Sequence, residues 1–446
     1  MRSIALGPDE NGNQRLLLNG EPLFQYGLLD QGWWPDGLYT APTDEALLYD
    51  VRTSREMGFN LIRKHVKVEP ARWYHHCDRE GILVWQDMPS GDNEGEEAQL
   101  QFASELEAVV ESLWNHPSIV MWVPFNEGWG QHDTEAYVEW LEEADPTRLV
   151  NNASGWTDTR TGSVLDIHRY PGPGSPPPET VSPAHPRAAV LGEFGGLGLP
   201  LAGHTWVEED NWGYRSYETL EALNEAYANL LLQLRPLIGE GLAAAVYTQT
   251  TDVEIEVNGI MTYDREVVKL DPAVRKLHGE LYGPQPTLRS VVHTSRDEAQ
   301  TWRFTMSAPA EGWENPGFDD SSWADGPGGF GTEGTPGAVV RTVWETPEIW
   351  IRRSFSLSGE EMGDLADARL FLRIHHDEDA EVFLNGEPVA TLGGYTGGYQ
   401  LALLDTDLVS LLREGGNTLA AHVSQTRGGQ YIDVGIVEWV DTEIRE

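Results

Sequence analysis

SIVMWVPFNE, residues 118–127, is a short apolar run that stops on an asparagine and a glutamate. It is too brief for a buried helix and rich in β-branched and aromatic side chains, so it reads as a strand covered on both faces. Seven further runs share its texture: PLFQYGLL (22–29), NLIRKHV (60–66), GILVWQDM (81–88), RLVNNA (148–153), VLDIHRY (164–170), AAVLGEF (188–194) and LAAAVYTQ (242–249). Longer stretches of helical period separate them, and that alternation predicts a parallel α/β architecture. Eight strands within roughly 250 residues predict a (β/α)₈ barrel over 20–283. A doubly wound open sheet would alternate similarly, but no glycine-rich phosphate loop follows the first run.

The intervening segments carry helix signals. TDEALLYDVRTSREMG opens on Thr43 and closes on Gly58, a capped pattern. QLQFASELEAVVESLWNHP spaces Leu106, Val109, Val110 and Leu113 at helical intervals. YETLEALNEAYANLLLQLRPL is the longest such pattern and precedes the eighth strand. PGPGSPPPE (171–179) is the most irregular stretch and reads as a loop bordering the active end of the barrel. Residues 1–19 form a lead-in. From 284 to 446 the texture changes to short alternating strands (IWIRRSFSL, ARLFLRIH, AEVFLNGEPV, NTLAAHVSQ, YIDVGIVEW) between Gly, Pro and Asp turns. This predicts a C-terminal all-β sandwich.

Composition narrows the functions. The chain has 446 residues, with 72 Asp and Glu against 30 Lys and Arg, a formal net charge of −42. Nucleic acid is thereby a poor partner, since phosphate binding needs clustered cations. Lys64, Lys67, Lys269 and Lys276 are the only lysines. A dispersed acidic surface with little lysine suggests a high-salt host, where screening removes self-repulsion; an acidic protein of a high-GC genome is the other reading. The single cysteine, Cys77, leaves no intrachain disulfide and reads as a small buried thiol. No apolar run approaches a membrane span, and MRSIALGPDENGNQ lacks a secretory h-region. The expectation is a cytoplasmic chain, or an extracellular one that has lost an upstream segment, with no membrane partner.

Glu127 closes the fourth run and Glu193 stands in the seventh, AVLGEFGG. Glycoside hydrolysis with retention needs two carboxyl groups about 5–5.5 Å apart across the scissile bond, one protonating the leaving oxygen and one attacking the anomeric carbon. A barrel supplies that geometry from the C-terminal ends of different strands. Two solvated loop glutamates are the plain alternative for either residue alone. Sugar rings also present apolar C–H faces, which gives Trp33 and Trp34 after the first strand, and Trp129 beside Glu127, a direct use; loop-anchoring aromatics are the alternative.

WNHPSIVMWVPFNE (114–127) resembles the acid/base signature of glycoside hydrolase family 2, through Asn115, His116, Ile119–Met121, Trp122 and Asn126–Glu127; Val123 departs from the usual Gly or Ser. NLIRKHVKVEPARWYHHCDREGILVWQD (60–87) is similar to the second signature of that family, through Asn60, Arg63, His65, Asp78, Gly81 and Trp85, with the Arg63–His65 spacing one residue short. The resemblance implies Glu127 as general acid/base and Glu193 as nucleophile. It implies Asn126 on the sugar 2-hydroxyl, Arg63 holding the Glu193 carboxylate, and Tyr170 as a hydroxyl donor with His168 beside it. His65 joins the substrate-binding set. The family's tryptophan on strand 8 is absent from AVYTQTTDVEIEVNG; Tyr247 and Gln249 are expected to fill that subsite, with Asp252 or Glu254 reading hydroxyls. GWENPGFDDSSWADGPGGFG with IWIRRSFSL looks like the family's jelly-roll sugar-binding domain, here placed after the barrel.

Two clusters read as metal sites of low weight: HHC (75–77), on a helix where neighbours point apart, and HHDED (375–379), an acidic turn suited to Ca²⁺. The expected mechanism needs neither metal nor cofactor. The sequence thus predicts an exo-acting retaining β-glycosidase taking an oligosaccharide or glycoside, a β-galactoside favoured. The competing expectation is a non-catalytic carbohydrate-binding protein derived from such an enzyme. Oligomeric state leaves no mark in the sequence.

Overall fold

Every residue of Gln25–Asp30 is buried, as is every residue of Leu61–Lys64, Leu83–Asp87 and Ile119–Val123. These are β1 to β4 of a parallel sheet completed by β5 (Leu149–Val150), β6 (Val164–Arg169), β7 (Ala188–Gly195) and β8 (Leu242–Thr248). The sheet order is β5-β4-β3-β2-β1-β8-β7-β6, so β1 pairs with β8 and the sheet curls into a barrel. The seam between β5 and β6 is bridged by Ser163 N–H to Val150 O at 2.7 Å and Asn151 Nδ2 to Asp166 Oδ2 at 2.7 Å. The computed structural model describes residues 2–176, 186–404 and 406–441, in two units, Met1–Gln285 and Pro286–Glu446. The last three residues of PGPGSPPPE, 177–179, lie outside the described residues.

Six helices accompany the barrel among the described residues: α1 (Asp44–Met57), α2 (Ala71–Glu80), α3 (Gly95–Leu113), α4 (Thr134–Ala144), α5 (Leu220–Gly239) and α6 (Val274–Leu281). No helix follows β5, so the strict strand–helix alternation expected from sequence is corrected there. The connecting segment ASGWTDTRTGS is dense in Gly, Thr, Ser and Asp, residues that bond their own backbone and favour turns. Helix α1 is capped as its sequence predicts: the Thr43 side chain accepts from Ala46 N–H, and Gly58 ends it at φ 100°, a conformation glycine adopts without strain.

The lead-in is also structured. Ile4–Pro8 and Gln14–Leu18 form an antiparallel pair, turned by Asp9, whose Oδ1 accepts from Asn11 N–H and Asn13 N–H at 2.9 Å each. Ile4 and Leu16 join a buried cluster with Leu61, Leu83, Met121, Val164, Ala188 and Ala243, stoppering one end of the barrel with apolar surface. No helix among the described residues is long and apolar enough to cross a membrane.

Strand ends differ from the sequence reading in one place that matters. β4 stops at Val123, because Pro124 has no N–H to continue a ladder. Glu127 therefore sits four residues beyond the strand, not on its last position. Its segment is held by a bridge between Asn126 and Ser154 and by Glu127 N–H to Ser154 O at 2.9 Å.

The second unit is a sandwich of two sheets, as the alternation predicts. One is built on Arg369–Asp377 paired antiparallel with Tyr431–Val440, the other on Glu348–Leu357 paired antiparallel with Gly415–Ser424. Their inward residues, among them Ile349, Ile351, Leu372, Ile374, Leu419, Ala421, Ile432 and Val434, form one core.

Three of the four lysines are buried: Lys64, Lys67 and Lys269. Lys64 Nζ reaches Asp30 Oδ2 at 2.5 Å and Glu69 Oε1 at 3.0 Å, under the ring of Trp73 at 4.4 Å. Burial disfavours its charge, but Asp30 and Glu69 outweigh that and raise its pKa. Lys67 shares Glu69 at 2.8 Å, and Lys269 grips both oxygens of Asp252 at 2.7 and 2.8 Å. Removing one member of such a group strands a buried charge at a cost of ~3–5 kcal/mol. Lys64→Ala is accordingly expected to lower unfolding free energy in urea by about that amount. Lys276→Ala, on the exposed side of α6, should change it by about 0.5 kcal/mol or less.

Candidate active site

The site begins with Arg63, fully buried on β2. Parallel register sets Arg63 beside Leu29 of β1 and Trp85 of β3, inside the barrel, where a guanidinium is stable only if its donors find acceptors. Nε and Nη2 bond Asp87 Oδ1 and Oδ2 at 3.0 and 2.9 Å, a bidentate fork. Nη2 also reaches Asn126 Oδ1 at 2.8 Å. Nη1 reaches Glu193 Oε1 at 3.1 Å and Gly192 O at 3.2 Å. One side chain thus ties β2, β3, the segment after β4, and β7.

Glu193 is buried on β7. Its second oxygen accepts from the Tyr170 hydroxyl at 2.7 Å, and that hydroxyl lies 2.6 Å from Thr248 Oγ1. Burial works against its charge, but His168, Arg63 and His65 and the Tyr170 hydrogen bond outweigh it, so its pKa falls below the usual carboxylate value.

His168, on β6, lies between the two glutamates. Its Nδ1 is 2.8 Å from Glu127 Oε1 and 3.3 Å from Glu193 Oε2, and its Nε2 is 2.8 Å from Ser154 Oγ. The Ser154 hydroxyl in turn donates to Asp166 Oδ2 at 2.6 Å. Burial opposes a charged imidazole here, yet Glu193, the Glu127 hydrogen bond and Asp166 together raise its pKa above 6.5. Glu127 takes φ 52°, a left-handed conformation costly for a side chain with Cβ and found where surroundings over-determine the backbone. One ligand atom from each of Glu127, His168 and Glu193 lies within 4.8 Å of the other two. That triad, and His204 with Asp264 and Glu266, are the groups of three close metal-ligating atoms among the described residues. Neither HHC nor HHDED gathers such a set: Cys77 is buried and His76 pairs with Asp44 at 3.1 Å, while His376 Nδ1 bonds Glu378 O at 2.6 Å.

The structure brings together Glu127, Glu193, Asn126, Arg63, Tyr170 and His168. His65 is adjacent through Asp87 Oδ2 at 3.0 Å. It moves others away. Tyr247 alternates to the outer face of β8 and is buried against Phe194 and Tyr227, so it is a core residue and not a subsite wall. Trp34 is buried beneath Arg265, whose guanidinium lies 3.9 Å from its ring; it anchors its loop. Trp33 is half-buried edge-on to Tyr39 at 5.1 Å. Gln249 is fully buried as a strut, accepting from Gln31 Nε2 at 3.0 Å and donating to Asn258 Oδ1 at 2.9 Å. Asp252 is taken up by Lys269, and Glu254 is exposed on its turn. Trp129 stays exposed beside Glu127.

Sequence reading missed Asp87, Ser154, Asp166 and Thr248. Asp87 ends an apolar run much as Glu127 seems to, a legible signal; the other three are ordinary polar residues whose position only the fold supplies.

Residues 13–171 match the family model described as "Glycosyl hydrolases family 2, TIM barrel domain". That stretch, which runs from before β1 to the end of β6 and includes Asn126 and Glu127, is similar to the catalytic barrel of this family. Curated relatives named "Beta-galactosidase" include one from Psychromonas ingrahamii, 28% identical over 35% of this chain and 16% of the relative. Another, from Klebsiella pneumoniae, is 28% identical over 34% of this chain and 15% of the relative. The matches therefore span about a sixth of those relatives' length. Among solved structures, an FMN-binding β-glucuronidase from Facaelibacterium prausnitzii L2-6 aligns with 100% of this chain and 60% of its own at TM-score 0.49 and 17% identity.

The raised pKa of His168 has a stability consequence for this barrel. A group whose folded pKa lies above its unfolded value of about 6.5 stabilises fully below that pH and loses the contribution as pH rises through the folded value. The stability gap between wild type and His168→Asn is expected to be widest below about pH 6.5 and to shrink in alkali, read by urea titrations across pH. A gap that widens in alkali would contradict the assignment of charge.

Proposed function

We propose that the chain is an exo-acting, retaining β-glycosidase that cleaves by double displacement, with Glu193 as nucleophile and Glu127 as general acid/base. The observation that carries this reading is that one carboxylate oxygen of Glu127 and one of Glu193 lie within 4.8 Å of each other. Retaining enzymes hold such groups about 5–5.5 Å apart, whereas inverting ones leave roughly 6.5–9.5 Å for a water.

The surroundings divide the two roles. Glu193 has Arg63, His168 and the Tyr170 hydroxyl around it, contacts that keep it ionised for attack on the anomeric carbon. As its negative charge passes into the new bond, the Tyr170 hydrogen bond is free to shift toward the ring oxygen side of the sugar. Glu127 protonates the leaving oxygen and then draws a proton from the incoming water. His168 Nδ1, 2.8 Å away, is a nearby proton source for it. Arg63 occupies Asn126 Oδ1, which turns Asn126 Nδ2 outward as the donor for the sugar 2-hydroxyl, a contact that strengthens as positive charge develops. The two relatives named β-galactosidase make a β-galactoside the first substrate to try.

Glu193→Ala is expected to lose turnover of aryl β-galactosides by at least about 10³-fold, with azide restoring it as a glycosyl azide of inverted configuration. Glu127→Ala is expected to slow poor leaving groups far more than 2,4-dinitrophenolate, which needs no proton. Proton NMR of the first sugar released by the wild type should show the β-anomer; the α-anomer, or full activity in Glu193→Ala, would sink the mechanism.

A further inference from the structure

The loop after β8 carries a third carboxylate toward the two glutamates. Glu256 Oε1 accepts from Asn258 Nδ2 at 2.9 Å, and Asn258 Oδ1 in turn accepts from Gln249 Nε2 at 2.9 Å. Asn258 and Gln249 are both fully buried, so a chain of amides running to Gln31 fixes this carboxylate in place. Burial, then the charge of Glu193, push its pKa up, while His65 pulls it back. A backbone bridge joins Glu256 to Trp212, on the loop whose Tyr214 stacks on Tyr170, the hydroxyl donor to Glu193.

The loop after β7 builds an aromatic surface beside it. Leu197–Gly198 pairs with Arg215–Ser216, and Trp212 is laced to the β8 loop by its N–H to Ile255 O at 2.8 Å and by Val257 N–H to its own carbonyl at 2.9 Å. Tyr214 stacks on Tyr170 with centroids 3.6 Å apart and planes 3° from parallel. Trp212 packs edge-on to Tyr214 at 5.4 Å. Burial and the charges of Glu193, Glu256 and Glu127 push the Tyr214 hydroxyl up to about 12. Yet Tyr214 and Trp212 remain 48% and 40% exposed, apolar area left open at the site's rim.

A rigid carboxylate beside an aromatic wall suits a pyranose, whose hydroxyls donate while its C–H face packs on the rings. The same lining is hostile to an anion. Among the described residues, the basic side chains next to the glutamates already have carboxylate partners: Arg63 on Asp87 and Glu193, His65 on Asp87, His168 between Glu127 and Glu193.

We infer that Glu256, with Tyr214 and Trp212, is the specificity element of the site: it takes neutral pyranoses through their hydroxyls and rejects uronic acids. This rests on the glycosidase reading of the same cleft, but its test does not need turnover. Titration calorimetry on the full chain compares galactose, glucose and mannose with galacturonate and glucuronate at neutral pH. At least one neutral sugar is expected to bind about 100-fold more tightly than either acid. Glu256→Gln keeps the shape and the amide contacts while removing the charge, and should narrow that ratio by roughly tenfold or more. Tyr214→Ala should weaken the neutral sugar about tenfold, with circular dichroism confirming that both variants fold. A uronate binding as tightly as the neutral sugars, no sugar binding at all, or a Glu256→Gln ratio equal to that of wild type would overturn the inference. Failure of the glycosidase reading registers separately, as unimpaired turnover in Glu193→Ala.

Discussion

A guanidinium sealed inside a barrel is the constraint on which this structure turns. Moving an ion from water to protein interior is expensive unless its partners and their hydrogen bonds are nearly complete. Arg63 meets that condition by drawing Asp87, Asn126, Glu193 and a backbone carbonyl to fixed positions. Those partners come from three separate parts of the barrel wall, so satisfying one side chain also sets the spacing of the groups proposed to do chemistry. Fold closure and site geometry are here one requirement, and a looser barrel would leave a bare cation as well as a misplaced carboxylate.

The same economy of positive charge runs through the whole first unit. With a net charge of −42, cations are scarce, and several are drawn inward: Lys64 between Asp30 and Glu69, Lys269 on Asp252, Arg265 on Asp50. Buried pairs of this kind are screened far less by salt than surface pairs are. Carboxylates outnumber cations at the surface, and they repel one another at low ionic strength. Interior order and exterior repulsion therefore respond differently to salt.

Much of this was legible from the chain. Eight apolar runs fall on eight strands, because a strand covered on both faces can tolerate few polar residues and so stands out. Glu127, Glu193, Arg63, Asn126, Tyr170 and His168, singled out in the sequence, converge in space. What escaped has physical reasons. The end of β4 was misjudged since Pro124 is apolar and prolongs the run while ending the ladder. Tyr247 was assigned to the cleft, but successive residues of a strand point to opposite faces, and its position lies on the outer one. Glu256 gave no signal, because it sits on an irregular loop whose course depends on backbone pairing with another loop far away in sequence. Asp166 and Ser154 matter only through His168, a relation that no spacing encodes.

The burial of three lysines leaves the barrel with one side-chain amine open to reagents, Lys276 on its last helix. Chemistry directed at lysine, whether for attaching a dye, tethering the protein to a surface or mapping by cross-linking, would thus address a single defined side chain. A folded molecule should take up a single such label there, and the appearance of further labelled lysines would report opening of the interior without any added probe.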